Sequence, residues 1–366
     1  MMIEKVLIVD PVDGEYSGKV EIQSGRIVNV ETCSEKPEAI LMPGFIDIHT
    51  HGAKGVDFLE DEDWESAVLL FYRNGVTTFF PTSVSAPIEK LTAFLKRVDK
   101  ESKRFRNIGG AHLEGPFISP EEKGAQNEQY IRPPEIPDIE TLTSFEVFKT
   151  ITLAPEACSP ETMELLLQKG VVISAGHSNA TYEETVKAFQ VGVSRITHFP
   201  NALRVLHHRE VGIMGAALLH PVHLELISDG VHVSPEMINL TVKIKGCDRI
   251  ILITDSISAA GLEDGEYRLH GKRVIVKEGI ARLEDGTLAG STLQYSVAVK
   301  NFQKFTGCSL KDLAKVSSYN AAQNLKLDRK GRISIGMDAD LVVLDFELNI
   351  LEVYKEGERV WGGEPL

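Results

Sequence analysis

The chain has 366 residues, of which 43% are hydrophobic and 25% charged, and its formal net charge is −14. That length exceeds a usual single domain but suits one (β/α)8 barrel of about 250 residues with a smaller domain beside it. The acidic balance argues against nucleic acid or an anionic membrane as a partner, since both require a concentrated basic surface, and no apolar run approaches the ~20 residues that span a bilayer.

The start, Met1-Met2-Ile3-Glu4-Lys5, lacks a signal peptide's charged and apolar regions, and Cys33, Cys158, Cys247 and Cys308 form no Cys-x-x-Cys pair. Reduced thiols and a cytoplasmic protein are expected. Short β-like runs follow at residues 6–9, 20–22 and 26–30, with Ser24-Gly25 as a turn, which is hairpin material rather than barrel. The far end behaves alike: Gly331 to Asp340 leads into a run at 341–344, and runs at 353–355 and 359–361 flank Glu356-Gly357-Glu358. These features predict a small β-sandwich domain built from both termini, residues 1–43 and 331–366. Residues 44–330 between them alternate apolar runs with helical patterns, the mark of a βα-repeated parallel fold. Eight strands are predicted, at 45–48, 77–80, 109–113, 151–153, 171–175, 195–197, 224–228 and 250–254, and eight closes a TIM barrel. Helix starts stand out at Ser159-Pro160 and at Thr181-x-x-Glu184, which has capping-box spacing. After the eighth strand, runs at 267–269, 273–276 and 281–283, with turns at Gly271 and Gly279, predict a β insertion near 264–286.

The polar residues of interest fall at the ends of these strands. His49 and His51 follow the first, and residues two apart on a strand point to one side. Glu114 follows the third strand, His177 the fifth, His198 the sixth and Asp255 the eighth. Taken singly, a His or Asp at a strand end is more often a hydrogen-bonded structural residue than a ligand. Together, imidazoles and carboxylates from several strands at one barrel mouth make a hydrolytic metal site, which lowers the pKa of bound water to about 7.

The motifs Pro43-Gly44-Phe45-Ile46-Asp47-Ile48-His49-Thr50-His51-Gly52, His112-Leu113-Glu114-Gly115-Pro116-Phe117, Ala175-Gly176-His177-Ser178-Asn179-Ala180, Thr197-His198-Phe199-Pro200-Asn201-Ala202, Asp229-Gly230-Val231-His232, Thr254-Asp255 and Leu288-Ala289-Gly290-Ser291 resemble the amidohydrolase superfamily. Within it they resemble the N-acetylglucosamine-6-phosphate deacetylase family. The resemblance spans nearly the whole chain. It implies a barrel with a terminal β domain, a principal divalent metal, zinc or iron, on Glu114, His177 and His198, and a catalytic Asp255. Glu114 occupies the place where many relatives in the wider superfamily use a carboxylated lysine. His49 and His51 either hold a second metal or remain as unfilled or substrate-orienting groups, since family members differ there. The resemblance further implies that Asn201, the Ala202 backbone and Arg209 hold a sugar phosphate, that His232 contacts substrate, and that Leu288, Ala289 and Gly290 lie near the acetamide. Gln126 stands where relatives generally carry a substrate-contacting histidine, and an amide cannot carry a proton charge. His207 and His208 sit near Arg209, and Glu156 reads as a structural acceptor.

The expected reaction is metal-dependent deacetylation of a phosphorylated amino sugar, with Asp255 as acid and base, in a cytoplasmic homodimer. Rival readings are an amidohydrolase acting on a cyclic amide or another N-acyl amino sugar, and a non-catalytic barrel assembly protein. The last predicts lost ligands, and Glu114, His177, His198 and Asp255 are all present.

Overall fold

The apolar runs between the termini form strands because each is short, rich in Val, Ile and Phe, and bounded by Gly or polar residues. In the computed structural model, which describes residues 1–362, eight parallel strands pair in chain order: Phe45–Thr50, Val76–Ser83, Ala111–Glu114, Phe148–Leu153, Val172–Ala175, Arg195–Ile196, His223–Ile227 and Ile250–Ile253. The eighth closes on the first. The Asp255 N–H donates to the His49 carbonyl at 2.9 Å, and the His51 N–H to the Ser256 carbonyl at 2.7 Å. The protein is a (β/α)8 TIM barrel. Its last strand ends one residue earlier than expected because Thr254 turns to a side chain, donating its Oγ1–H to Asp47 Oδ2 at 2.6 Å.

The helices between the strands lie outside the barrel and follow their sequence signals. In Ile88–Arg104 the buried residues Leu91, Phe94, Leu95 and Val98 recur at helical spacing and face the strands. Ser159 Oγ accepts from the Thr162 N–H ahead of Pro160. Thr181 and Glu184 cap reciprocally, each side chain accepting from the other's N–H.

A seven-stranded sheet draws on both ends of the chain, Met2–Asp10, Gly14–Gln23, Arg26–Thr32 and Ala39–Pro43 with Leu341–Leu344, Ile350–Lys355 and Glu358–Gly362. It folds over onto itself, since the Ile27 N–H donates to the Met337 carbonyl and the Ala339 N–H to the Gly25 carbonyl. Val6, Ile8, Val20, Leu41, Leu341 and Val343 fill the space enclosed. Residues 363–366, included in the small domain expected from sequence, lie outside the described residues. Ala39–Pro43, unassigned in the sequence reading, runs parallel to Met2–Asp10 and antiparallel to Leu341–Leu344, and it leads through Gly44 straight into the first barrel strand. The insertion forms a three-stranded antiparallel sheet, Gly265–Leu269, Lys272–Lys277 and Ile280–Leu283, seated by Leu269, Val274 and Ala281 on Ile257 and Ala289.

Immediately after His51, Gly52 pairs with Asp57 in a two-stranded ribbon. A Cβ at Gly52 would lie 2.1 Å from the Val56 carbonyl oxygen, a main-chain atom that cannot swing aside. Gly52→Ala is therefore expected to cost about 1–3 kcal/mol, as overpacking does. The readout is a lower urea midpoint at unchanged slope, and an unshifted midpoint would show that the ribbon relaxes freely.

Candidate active site

Three side chains reach the barrel mouth because the backbone turns sharply as each strand ends. His177 has φ of 47°, His198 of 30° and Asp255 of 49°, the left-handed region that non-glycine residues seldom occupy and that costs of order 1–3 kcal/mol each. His49 and His51 need no such turn, since they alternate on one strand and face inward together. Glu114 ends the third strand. All six residues are buried.

Their polar atoms converge on Glu114. Its Oε1 lies 3.3 Å from His49 Nε2, 3.2 Å from His177 Nε2 and 3.1 Å from His198 Nε2. Its Oε2 lies 3.5 Å from His51 Nε2 and accepts from Gln126 Nε2 at 2.5 Å. The other end of that amide is fixed, because Gln126 Oε1 accepts from the Ser85 N–H at 2.7 Å. Asp255 Oδ1 stands 3.2 Å from His51 Nε2 and 3.5 Å from His49 Nε2.

The outward nitrogens settle how these rings are held. Nδ1 of His51 meets the Thr82 carbonyl at 3.1 Å, that of His177 the Glu122 carbonyl at 2.9 Å, and that of His198 the Asn201 carbonyl at 3.1 Å. Nδ1 of His49 meets Glu225 Oε2 at 3.1 Å. A carbonyl or carboxylate only accepts, so each Nδ1 carries a proton, and a ring in its neutral form turns the Nε2 lone pair inward. His177 and His198 then oppose Nε2 atoms at 3.1 Å, and His49 and His51 at 3.3 Å, an arrangement that repels unless a cation or a proton lies between them. Glu114 with His177 and His198, and Glu114 with His49 and His51, are two groups whose ligand atoms lie within 4.8 Å of one another. Imidazole and carboxylate donors with anchored outer nitrogens suit a divalent transition metal.

The two carboxyls of the site are held ionised. Burial raises the Glu114 pKa, but His49 and His177 outweigh it and hold the carboxyl well below its ordinary range. Burial likewise opposes charge on Asp255, yet His49 and His51 keep it ionised. His49 is disfavoured as a cation by burial and drawn well above its ordinary pKa by Glu114 and Asp255. His112, 4.7 Å from the His49 ring, is held well below its ordinary pKa chiefly by burial, with the nearby His49 and Arg195 disfavouring a further cation.

A cavity of about 360 Å³ opens above these residues. Gln126, Asn201, Ala202, His232, Leu288 and Gly290 line it, while Ala289 is fully buried behind the wall. Arg209 stands apart from the cavity in this chain. It is exposed on the loop after Ala202, donates through Nη1 to His208 Nε2 at 2.8 Å, and does not line the cavity. That loop carries it over the surface. Glu156 is an acceptor for Ser178 Oγ at 2.7 Å and for the Asn179 N–H at 2.5 Å. His270 and Lys272, from the inserted sheet, also line the cavity, and no motif pointed to them. Glu225 and Arg195 went unnoticed too. Both are fully buried, with Arg195 Nε 2.7 Å from Glu225 Oε1, and Arg195 holds the Glu225 carboxyl below its ordinary range despite burial. A charged residue in an otherwise apolar strand run was the signal available for each.

The sequence matches the amidohydrolase family over residues 40–360. The chain is similar to a solved N-acetylglucosamine-6-phosphate deacetylase from Thermotoga maritima, with a TM-score of 0.96 and 51% identity over 99% of this chain and 100% of that one. It is 38% identical to the N-acetylglucosamine-6-phosphate deacetylase of Lysinibacillus sphaericus over 87% of this chain and 84% of the relative. It is 34% identical to the N-acetylgalactosamine-6-phosphate deacetylase of Escherichia coli O157:H7 over 93% and 94% respectively.

Opposed lone pairs make the metal-free protein less stable than the loaded one, because a ligand that binds only the folded state stabilises it by about 2.7 kcal/mol at a hundredfold excess over Kd. Chelation is expected to lower the thermal midpoint and Zn²⁺ to restore it. A His177→Asn, His198→Asn double variant should lose most of that response, and a full response in it would remove these residues from the metal site.

Proposed function

The chain belongs to the amidohydrolase family, and on that premise we propose that it hydrolyses N-acetylglucosamine 6-phosphate to glucosamine 6-phosphate and acetate, a step of amino-sugar catabolism. The observation that carries this reading is the buried convergence of Glu114, His177 and His198 beside Asp255 at the barrel mouth. A cytoplasmic homodimer is part of the same reading.

A divalent metal, zinc or iron, held by Glu114, His177 and His198 would polarise the acetamide carbonyl and lower the pKa of water when bound. A second would be held by His49 and His51 together with Glu114. Asp255 is the acid and base: its carboxylate takes a proton from the attacking water as the C–O bond forms. It returns that proton to nitrogen as the C–N bond breaks, so acetate and the free amine leave in balance. Leu288 and Gly290 flank the acetamide. Gln126, committed to Glu114 and Ser85, orients the ligand carboxylate instead of shuttling a proton.

For the phosphate, His232 is the charged donor and Asn201 with the Ala202 backbone supplies neutral ones. His232 Nδ1 donates to Asp229 Oδ2 at 2.6 Å. Burial opposes charge on this ring, but Asp229 outweighs it and raises the pKa above its ordinary value. The similarity to an N-acetylgalactosamine-6-phosphate deacetylase favours one further reading, the C4 epimer as substrate. Acetate release from the two sugar phosphates in parallel distinguishes them.

Asp255→Asn is expected to retain bound zinc and to lose on the order of a hundredfold or more in kcat, the range for general acid-base groups. Near-normal kcat would refute its role. His232→Gln removes a charge-assisted bond of about 1.5–3 kcal/mol. It should therefore lower kcat/KM for the sugar phosphate tenfold or more beyond any loss on unphosphorylated N-acetylglucosamine, and equal losses would show that His232 does not read the phosphate.

A further inference from the structure

One carboxylate touches both metal-ligand groups. Glu225 sits on the seventh barrel strand, fully buried. Its Oε2 accepts two hydrogen bonds, from His49 Nδ1–H at 3.1 Å and from the His198 main-chain N–H at 3.2 Å. Its Oε1 lies 2.7 Å from Arg195 Nε. Arg195, fully buried as well, spends its remaining nitrogens on Asn324 Oδ1 and on Thr150 Oγ1. Neither Glu225 nor Arg195 lines the cavity, so they touch no substrate.

Two features make Glu225 unlike the other outer partners. The Nδ1 atoms of His51, His177 and His198 rest on neutral main-chain carbonyls, and only His49, among these four, is held by a carboxylate. A carboxylate makes the ring a stronger ligand and fixes its orientation. The second feature is the His198 backbone, whose φ of 30° is costly for a histidine and has to be held by its surroundings.

We propose that Glu225, backed by Arg195, is the positioning residue that holds His49 by its Nδ1–H and His198 by its N–H, and thereby sets how tightly the His49, His51 and Glu114 group keeps its metal. The inference rests on the two-group reading of the site. A buried carboxylate without a counter-ion would be untenable in the barrel interior, which gives Arg195 its place in the device.

Glu225→Gln preserves size but offers one acceptor oxygen where two are in use, so either Arg195 or the histidines lose their partner. Glu225→Asp keeps both oxygens and serves as the conservative control. Chelated wild type and variants are titrated with Zn²⁺ by calorimetry. The second zinc is expected to bind at least tenfold more weakly in Glu225→Gln, the range seen for outer-shell partners, the principal zinc less than threefold more weakly, and Glu225→Asp to lie nearer wild type. In parallel, proton NMR follows the slowly exchanging downfield His49 Nδ1–H with and without zinc, assigned with a His49→Gln variant. It should move upfield or vanish in Glu225→Gln. Loss of both zincs in step, or neither changing beyond threefold, overturns the proposal. If wild type takes only one zinc, the two-group reading fails by itself. The His49 proton then decides alone, and an unchanged resonance in Glu225→Gln overturns the positioning role.

Discussion

Everything in this protein depends on opposed imidazoles. Inward-facing Nε2 atoms 3.1 and 3.3 Å apart, with Glu114 between the pairs, form an arrangement that no isolated peptide would hold. It persists because the outer nitrogens are tied to acceptors on the barrel rim and because the barrel is closed. The bonds from Asp255 and His51 to the backbone of the opposite strand are the closure itself, so the residues that bring function to the mouth also seal the sheet.

Much of this was legible in the sequence. Period-two placement puts His49 and His51 on one side of a strand, and the polar residues at the ends of the other strands are conspicuous against Val, Ile and Leu. The capping pairs at Ser159 and Thr181 are local chemistry, and local chemistry is readable. What escaped depends on partners far away in the chain. Glu225 is separated from His49 by most of the barrel, and its meaning appears only when the strands close. Lys272 and His270 arrive over the mouth on an insertion whose docking is set by Leu269 and Val274. Ala39–Pro43 is short and apolar, and it became a strand because two neighbours from opposite ends of the chain lie beside it. Arg209 is a different case: its motif position says nothing of where a long side chain on an exposed loop rests, and here it lies against His208.

Gln126 illustrates how a substitution is absorbed. The amide is pinned at both ends, by the Ser85 N–H and by Glu114, so its place in the site follows from hydrogen-bond polarity alone. An oxygen must face the N–H and a nitrogen must face the carboxylate.

The sheet that joins both ends of the chain has a consequence for the order of events on the ribosome. Ala39–Pro43 is followed at once by the strand bearing His49 and His51, yet its antiparallel neighbour Leu341–Leu344 is made only after all eight barrel strands. Pairings of such long sequence separation are slow to form. Ala39–Pro43 therefore waits, with one edge open, until translation has delivered all eight barrel strands. Completion of this joining sheet is thus a later event in synthesis than delivery of the strands that build the mouth.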